Sequence, residues 1–66
     1  MKRWHIESGS EIESTTVDQF LEEVAAVCRK HRLSIAHEDC GGAFIVAEFD
    51  ESNIDWLMAA HVECVL

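Results

Sequence analysis

Leu33-Ser34-Ile35-Ala36-His37-Glu38-Asp39-Cys40-Gly41-Gly42-Ala43-Phe44-Ile45-Val46-Ala47-Glu48-Phe49 is the stretch on which the fold turns. Residues 33–37 alternate apolar and small or polar side chains. Residues 43–49 are β-branched and aromatic, and the acidic, glycine-paired segment between them reads as a turn. Together they predict a β-hairpin. Gly41 and Gly42 are the residues that supply the positive φ angles such a loop needs. The second strand is apolar on both faces, with Phe44 and Val46 pointing one way and Ile45, Ala47 and Phe49 the other, which is the pattern of the central strand of a small sheet.

Upstream of the hairpin, Val17, Phe20, Leu21, Val24, Ala25 and Cys28 recur at helical spacing, with Thr16 and Gln19 placed as a capping box. Asp18, Gln19, Glu22, Ala26, Arg29 and Lys30 take the opposite side of that wheel. Arg29, Lys30 and Arg32 sit at its end, where positive charge complements the helix dipole. Before the helix, Trp4 and Ile6 alternate with Arg3, His5 and Glu7, predicting a short strand with the two apolar residues inward, and residues 8–14 read as a polar loop. Downstream, Ser52 and Asp55 form a second capping box, opening a helix with Ile54, Leu57, Met58, His61, Val62 and Val65 on one side. Trp56 lies about 160° from Ile54, with Ala59, Ala60 and Glu63. The expected architecture is α+β and two-layered: order β-α-β-β-α, a three-stranded, mainly antiparallel sheet with both helices on one face.

Sixty-six residues make a single domain spanning 1–66, too small for a deep substrate cavity and marginal in stability. Hydrophobic residues at 48% against 27% charged place it among folded chains. Cys28, Cys40 and Cys64 are an odd, irregular set that argues against a disulfide framework and for a reducing cytoplasm. The N-terminal residues meet their first acid too soon for a signal peptide, no run reaches membrane-spanning length, and Cys64 is third rather than fourth from the end, so the prenylation pattern is absent.

Charge is the most informative property. Residues 33–66 carry seven carboxylates (Glu38, Asp39, Glu48, Asp50, Glu51, Asp55, Glu63) and no lysine or arginine, a local net of −7 out of a total of −8. Such a field attracts basic partners and repels nucleic acid. Its charge density is below that of B-DNA, so any mimicry of nucleic acid is partial. The ordinary reading of such carboxylates is a solvated face. The absence of bases over 34 residues, with Trp56 on the polar side of its helix beside Asp55, shifts the reading toward an interface, for which exposed tryptophan is a frequent anchor.

Other constellations are weaker. Cys28-x-x-His31 and His61-x-x-Cys64 could in principle combine into a Cys2His2 zinc site that staples a short domain, but the spacing is not that of a zinc knuckle and Cys28 falls on the core stripe, so no metal or other cofactor is assigned. His37 and Cys40 resemble a nucleophile pair, yet side chains three apart on a strand do not converge. Glu38 and Asp39 at a hairpin tip are solvated rather than tuned for acid–base work. Gly41-Gly42 lacks the lysine and following helix of a phosphate-binding loop. These readings favour a binder over an enzyme.

The segment 33–46, followed by Asn53-Ile54-Asp55-Trp56-Leu57 and preceded by an amphipathic helix, resembles small acidic uncharacterised proteins of bacteriophages and prophages, over about residues 16–62. What that resemblance implies is a class of single-domain proteins directed against host machinery, anti-CRISPR proteins and DNA-mimicking inhibitors among them; it supplies no catalytic residue. The expectation is an inhibitor in the bacterial cytoplasm that binds a basic, nucleic-acid-handling host protein, such as a CRISPR effector subunit, without touching nucleic acid or membrane. Its expected contacts are Glu38, Asp39, Glu48, Asp50, Glu51 and Asp55, with Trp56 as apolar anchor. The alternatives are a module that self-associates, as a homodimer, through an exposed sheet face at Phe44 or Ile45, and a small zinc-stabilised domain.

Overall fold

The computed structural model describes residues 1–63. Six elements follow one another: β1 (Lys2–His5), β2 (Ser10–Glu13), α1 (Thr15–His31), β3 (Leu33–His37), β4 (Phe44–Glu48) and α2 (Glu51–Met58). The chain is α+β, with two helices and two antiparallel two-stranded sheets, β1-β2 and β3-β4. The central hairpin forms as its sequence predicts, in a register pairing Leu33 with Glu48 and His37 with Phe44.

The three-stranded sheet expected from the sequence does not form among the described residues. Ser10-Glu11-Ile12-Glu13 carries one apolar residue and reads as loop, but it pairs with β1 in register Lys2↔Glu13 to His5↔Ser10. The intervening residues turn through Gly9, whose φ of +64° suits glycine. A partner only a few residues away costs little loop-closure entropy, so β1 is satisfied locally on one edge. On its other edge it takes Val62: the Ile6 amide donates to the Val62 carbonyl at 2.8 Å and the Val62 amide to the Trp4 carbonyl at 2.9 Å, a parallel bridge centred on His5 and Val62.

That bridge requires α2 to end early. The periodicity of Ile54, Leu57, Met58, His61, Val62 and Val65 predicts a helix to the C-terminus, yet α2 stops at Met58; Val62 is buried against β1 instead, and Val65 lies outside the described residues. The caps also move. Ser14, not Thr16, opens α1, its hydroxyl accepting from the Val17 amide at 3.3 Å. Asp50, not Ser52, opens α2, its carboxylate accepting from the Ser52 amide at 2.8 Å. In both cases the cap lies further upstream, where the backbone is still extended.

The largest departure is the face of β1. The alternation places Trp4 and Ile6 inward, but both are exposed, whereas Arg3 is 3% exposed and His5 is buried with it. The guanidinium is drawn in by acceptors: Nε and Nη2 donate to Asp18 Oδ1 at 3.0 and 2.7 Å, and Nη1 donates to the Met58 carbonyl and, at 3.2 Å, to that of Ala60. These carbonyls lie at the end of α2, where helical carbonyls lack intrahelical donors and a cation is favoured. Arg3 thus ties β1 to the first turn of α1 and the end of α2.

The apolar core is small. Ala25 and Cys28 of α1 meet Ile54 of α2, with Val24, Ile35, Phe49 and Met58 packed around them. β3 lies against both helices, while no Cα of β4 comes within 8 Å of either. The hairpin is therefore held by its inner strand, and its outer strand projects.

Candidate protein-docking surface

Residues 38–43 close the hairpin, the Glu38 amide donating to the Ala43 carbonyl at 2.9 Å and the Gly42 amide to the Glu38 carbonyl at 3.2 Å. Of the two turn glycines only Gly42 has positive φ, +73°. This presents Glu38 and Asp39 at the tip, both exposed. Below the tip, His37 of β3 stands between two aromatics. Its ring meets Phe44 edge to face at 6.1 Å and lies tilted against Trp56 of α2 at 6.2 Å. The indole is not tucked away: Trp56 keeps 50% of its surface exposed. Held by a neighbouring ring on one side and open on the other, it has the amphipathic character of an interface anchor.

Three concavities meet around these rings. Asp39 and Trp56 share a cleft of about 220 Å³ with Ala36, His37 and Asn53. Trp56 also walls a groove of about 490 Å³ with Ile35, Phe44, Leu57 and His61. Ile35, Phe44 and Leu57 continue it into an apolar groove of about 430 Å³ bounded by Phe20, Leu21 and Val24 of α1 and by Val46. The result is one continuous surface, acidic at the hairpin tip and apolar beyond it. Phe44 at 77% and Val46 at 71% exposure stand open along it.

The acids expected to form a single patch divide between two ends of the hairpin. Glu38 and Asp39 lie at the tip beside Trp56. Glu48 pairs with Leu33 at the opposite end of the strands, five residues from Glu38 and so about 17 Å away at the usual rise per residue. Asp50 is occupied as the α2 cap, its Oδ1 also accepting from the Ser52 hydroxyl at 2.5 Å; those hydrogen bonds, the hydroxyl first, hold its carboxyl below the usual range. Glu51 pairs with Arg29 at 3.4 Å, both exposed. Asp55 is exposed on α2, next in sequence to Trp56.

The distribution of bases explains why the two ends differ. Arg29, Lys30 and Arg32 close α1, and β3 begins at Leu33, so they stand at the Glu48 end, where Arg32 also stacks on the Phe49 ring at 5.1 Å. Arg3 is enclosed and paired with Asp18, and Lys2 opens β1 opposite Glu13 in the other sheet. The tip therefore has carboxylates without neighbouring bases, while the opposite end is locally compensated.

The remaining candidate constellations do not assemble. Cys28 is buried in the core cluster and His31 is exposed; His61 follows α2 rather than lying on it, and Cys64 lies outside the described residues. No three metal-ligating side chains gather among the described residues. Cys40 is exposed in the turn, and His37 is engaged by rings. No helix among the described residues is long and apolar enough to cross a membrane.

Sequence reasoning missed the polar framework behind this surface. Ser34 is fully buried, its hydroxyl donating to the Glu48 carbonyl at 2.7 Å and accepting from the Asn53 side-chain amide at 3.0 Å, which fixes α2 against the hairpin. His5 Nδ1 accepts from the Ser8 amide at 3.3 Å and shares a hydrogen bond with the Ser8 hydroxyl at 2.7 Å, while its buried Nε2 has no hydrogen-bond partner among the described residues. The available signal for Ser34 was its place between Leu33 and Ile35, in a strand whose inner neighbours are both helices. No protein-family model, curated protein or solved structure matches the chain.

Proposed function

We propose that this chain is a small inhibitory binding protein, not an enzyme, and that it docks through the acidic tip of the β3-β4 hairpin and the Trp56 groove onto a basic surface of another protein. The observation that carries the reading is the half-exposed Trp56 in one cleft with Asp39, at the end of the hairpin that no base shares. An apolar anchor beside uncompensated carboxylates is the arrangement that recognises an apolar side chain flanked by lysine or arginine. The groove supplies the lasting contact, and the tip speeds encounter and rejects acidic competitors.

The reading narrows the contact set. Glu38, Asp39, Asp55 and Trp56 are the contacting residues, and Glu48, Asp50 and Glu51 add only to the long-range field. The resemblance to small phage proteins supports a class of target, a nucleic-acid-handling host protein whose lysine- and arginine-lined channel suits this field, a CRISPR effector among them. Affinity capture from a bacterial lysate, with retained proteins identified by mass, tests it when run beside Glu38→Gln/Asp39→Asn and Trp56→Ala forms. A captured basic protein lost with both forms supports the proposal; equal capture by all three removes it.

A further inference from the structure

We infer that the outer edge of β4 pairs with the same edge of a second copy of this chain, antiparallel and about a two-fold axis at Ile45, so that two hairpins join in a four-stranded sheet ordered β3-β4-β4-β3. This stands independently of the docking surface above. It begins from a conflict between sequence and position. Phe44-Ile45-Val46-Ala47 is apolar on both faces, the composition of a strand inside a sheet, yet β4 is an edge strand whose backbone pairs with β3 alone among the described residues. Proteins commonly guard such edges with lysine, proline or a bulge. Here the edge carries none of these before Glu48, and Phe44, Ile45 and Val46 are all exposed.

The backbone specifies how the edge is met. Arg32 and Phe49 form a hydrogen-bonded pair, as do Glu38 and Ala43, and such pairs alternate along an antiparallel ladder. Ala43, Ile45, Ala47 and Phe49 therefore face β3 with their amides and carbonyls, while Phe44 and Val46 turn theirs outward. An antiparallel second copy centred on Ile45 sets Phe44 opposite Val46 of that copy, and the reverse, and four backbone hydrogen bonds use the unpaired groups of these two residues alone. The Glu48 carbonyl, which already accepts from Ser34, is left out. The side chains match as well: an aromatic opposes a β-branched residue twice, and Ile45 meets Ile45. Each Glu48 falls opposite Gly42 of the other copy, so the two Glu48 side chains stand at opposite ends.

Area and charge set the strength. The exposed surface of Phe44, Ile45 and Val46, with the strand edge, gives on the order of 600–800 Å² over both copies, below the roughly 1,200 Å² of a standard interface. Two chains of net charge −8 also repel, with each Glu48 brought toward the other copy's acidic tip. The dimer is therefore weak and reversible, and added salt strengthens it by screening. This is the opposite salt response to docking on a basic partner, so failure of one idea is distinguishable from failure of the other.

The test is sedimentation equilibrium of the intact chain up to about 0.5 mM, at about 0.05 M and about 0.5 M salt. The expected result is a monomer–dimer equilibrium whose dissociation constant falls at least about threefold at the higher salt. Amide exchange at high protein concentration should slow at Phe44 and Val46. Val46→Pro removes an outward amide that β3 does not use, and Val46→Glu places a charge on an already exposed position; each should raise the dissociation constant about tenfold or more. Circular dichroism identifies a variant that has merely unfolded, and the other variant then decides. A monomer throughout the range, or a dimer equally strong in a folded Val46→Pro or Val46→Glu protein, overturns the inference.

Discussion

Replacing Arg3 by alanine should be the most damaging single change outside the apolar core, although composition marks Arg3 as an ordinary surface base. Its side chain is 1% exposed and donates to Asp18 Oδ1 through two nitrogens and to the carbonyls of Met58 and Ala60. Asp18 retains access to water and to the Met1 ammonium, 3.0 Å away, so its loss is cushioned. The Met58 and Ala60 carbonyls, at and beyond the end of α2, lose the guanidinium as their donor. Breaking a buried pair by removing one partner costs about 3–5 kcal/mol, and the partial solvation of Asp18 places the expected cost near the lower bound, about 3 kcal/mol. The whole domain holds roughly 3–10 kcal/mol at the usual stability per residue. With an m-value of about 1 kcal/mol/M, the urea midpoint should fall by about 3 M. Arg3→Lys, which keeps the charge but not the planar fork, should recover only part of this. A midpoint within about 0.5 M of the parent for Arg3→Ala would refute the idea that the guanidinium holds β1, α1 and α2 together.

Acid provides an independent check. The Asp18 carboxyl is held below the usual range by its hydrogen bond to the Met1 ammonium and then by Arg3, and Asp50 is held down by Ser52. A folded-state pKa below the unfolded one gives stability that is present above about pH 4 and lost as pH falls through the folded values; urea midpoints should therefore decline below pH 4, with a shallower decline in Asp18→Asn/Asp50→Asn, and equal slopes would contradict the assignment. Ser34→Ala should cost about 1–2 kcal/mol by leaving the Glu48 carbonyl and the Asn53 amide without their buried partner, read as a lower urea midpoint. Trp56→Ala should lower thermal stability by only a few degrees, because half of the indole is already exposed, while abolishing capture of the basic partner. Glu38→Gln/Asp39→Asn should leave stability nearly unchanged, slow association and flatten its salt dependence in surface-binding kinetics; unchanged rates would reduce the tip to a solvated turn.

The central hairpin and the cores of both helices were legible because each is written in local periodicity. Residues 33–37 alternate, residues 44–48 are β-branched and aromatic, and Leu21, Ala25 and Cys28 fall on one helical stripe. What was not legible depends on contacts between residues distant in sequence. Trp4 and Ile6 outweigh Arg3 and His5 on any hydropathy pattern, so the strand reads with the wrong face inward until Met58 and Ala60 are known to offer carbonyls at the same spot. Val62 fits the helical wheel as well as Met58 does, and only the free edge of β1 tells them apart. For the site, the charge count was visible but its division was not. Asp50 and Glu51 are acidic in composition yet already occupied, one as a cap and the other by Arg29, whereas Glu38 and Asp39 remain unoccupied at the tip.

These misreadings share a cause that bears on function. The first strand is secured by polar bonds to residues near the C-terminus, so its apolar residues need not enter the core, and the core that remains is built around Ala25, Cys28 and Ile54. So small a centre can cover one strand of the second hairpin but not both. Ile35 packs against it, while Phe44 and Val46, directly across the ladder from His37 and Ile35, are left outside. A core of this size, reaching only the inner strand, is what leaves an apolar surface open beside an acidic turn.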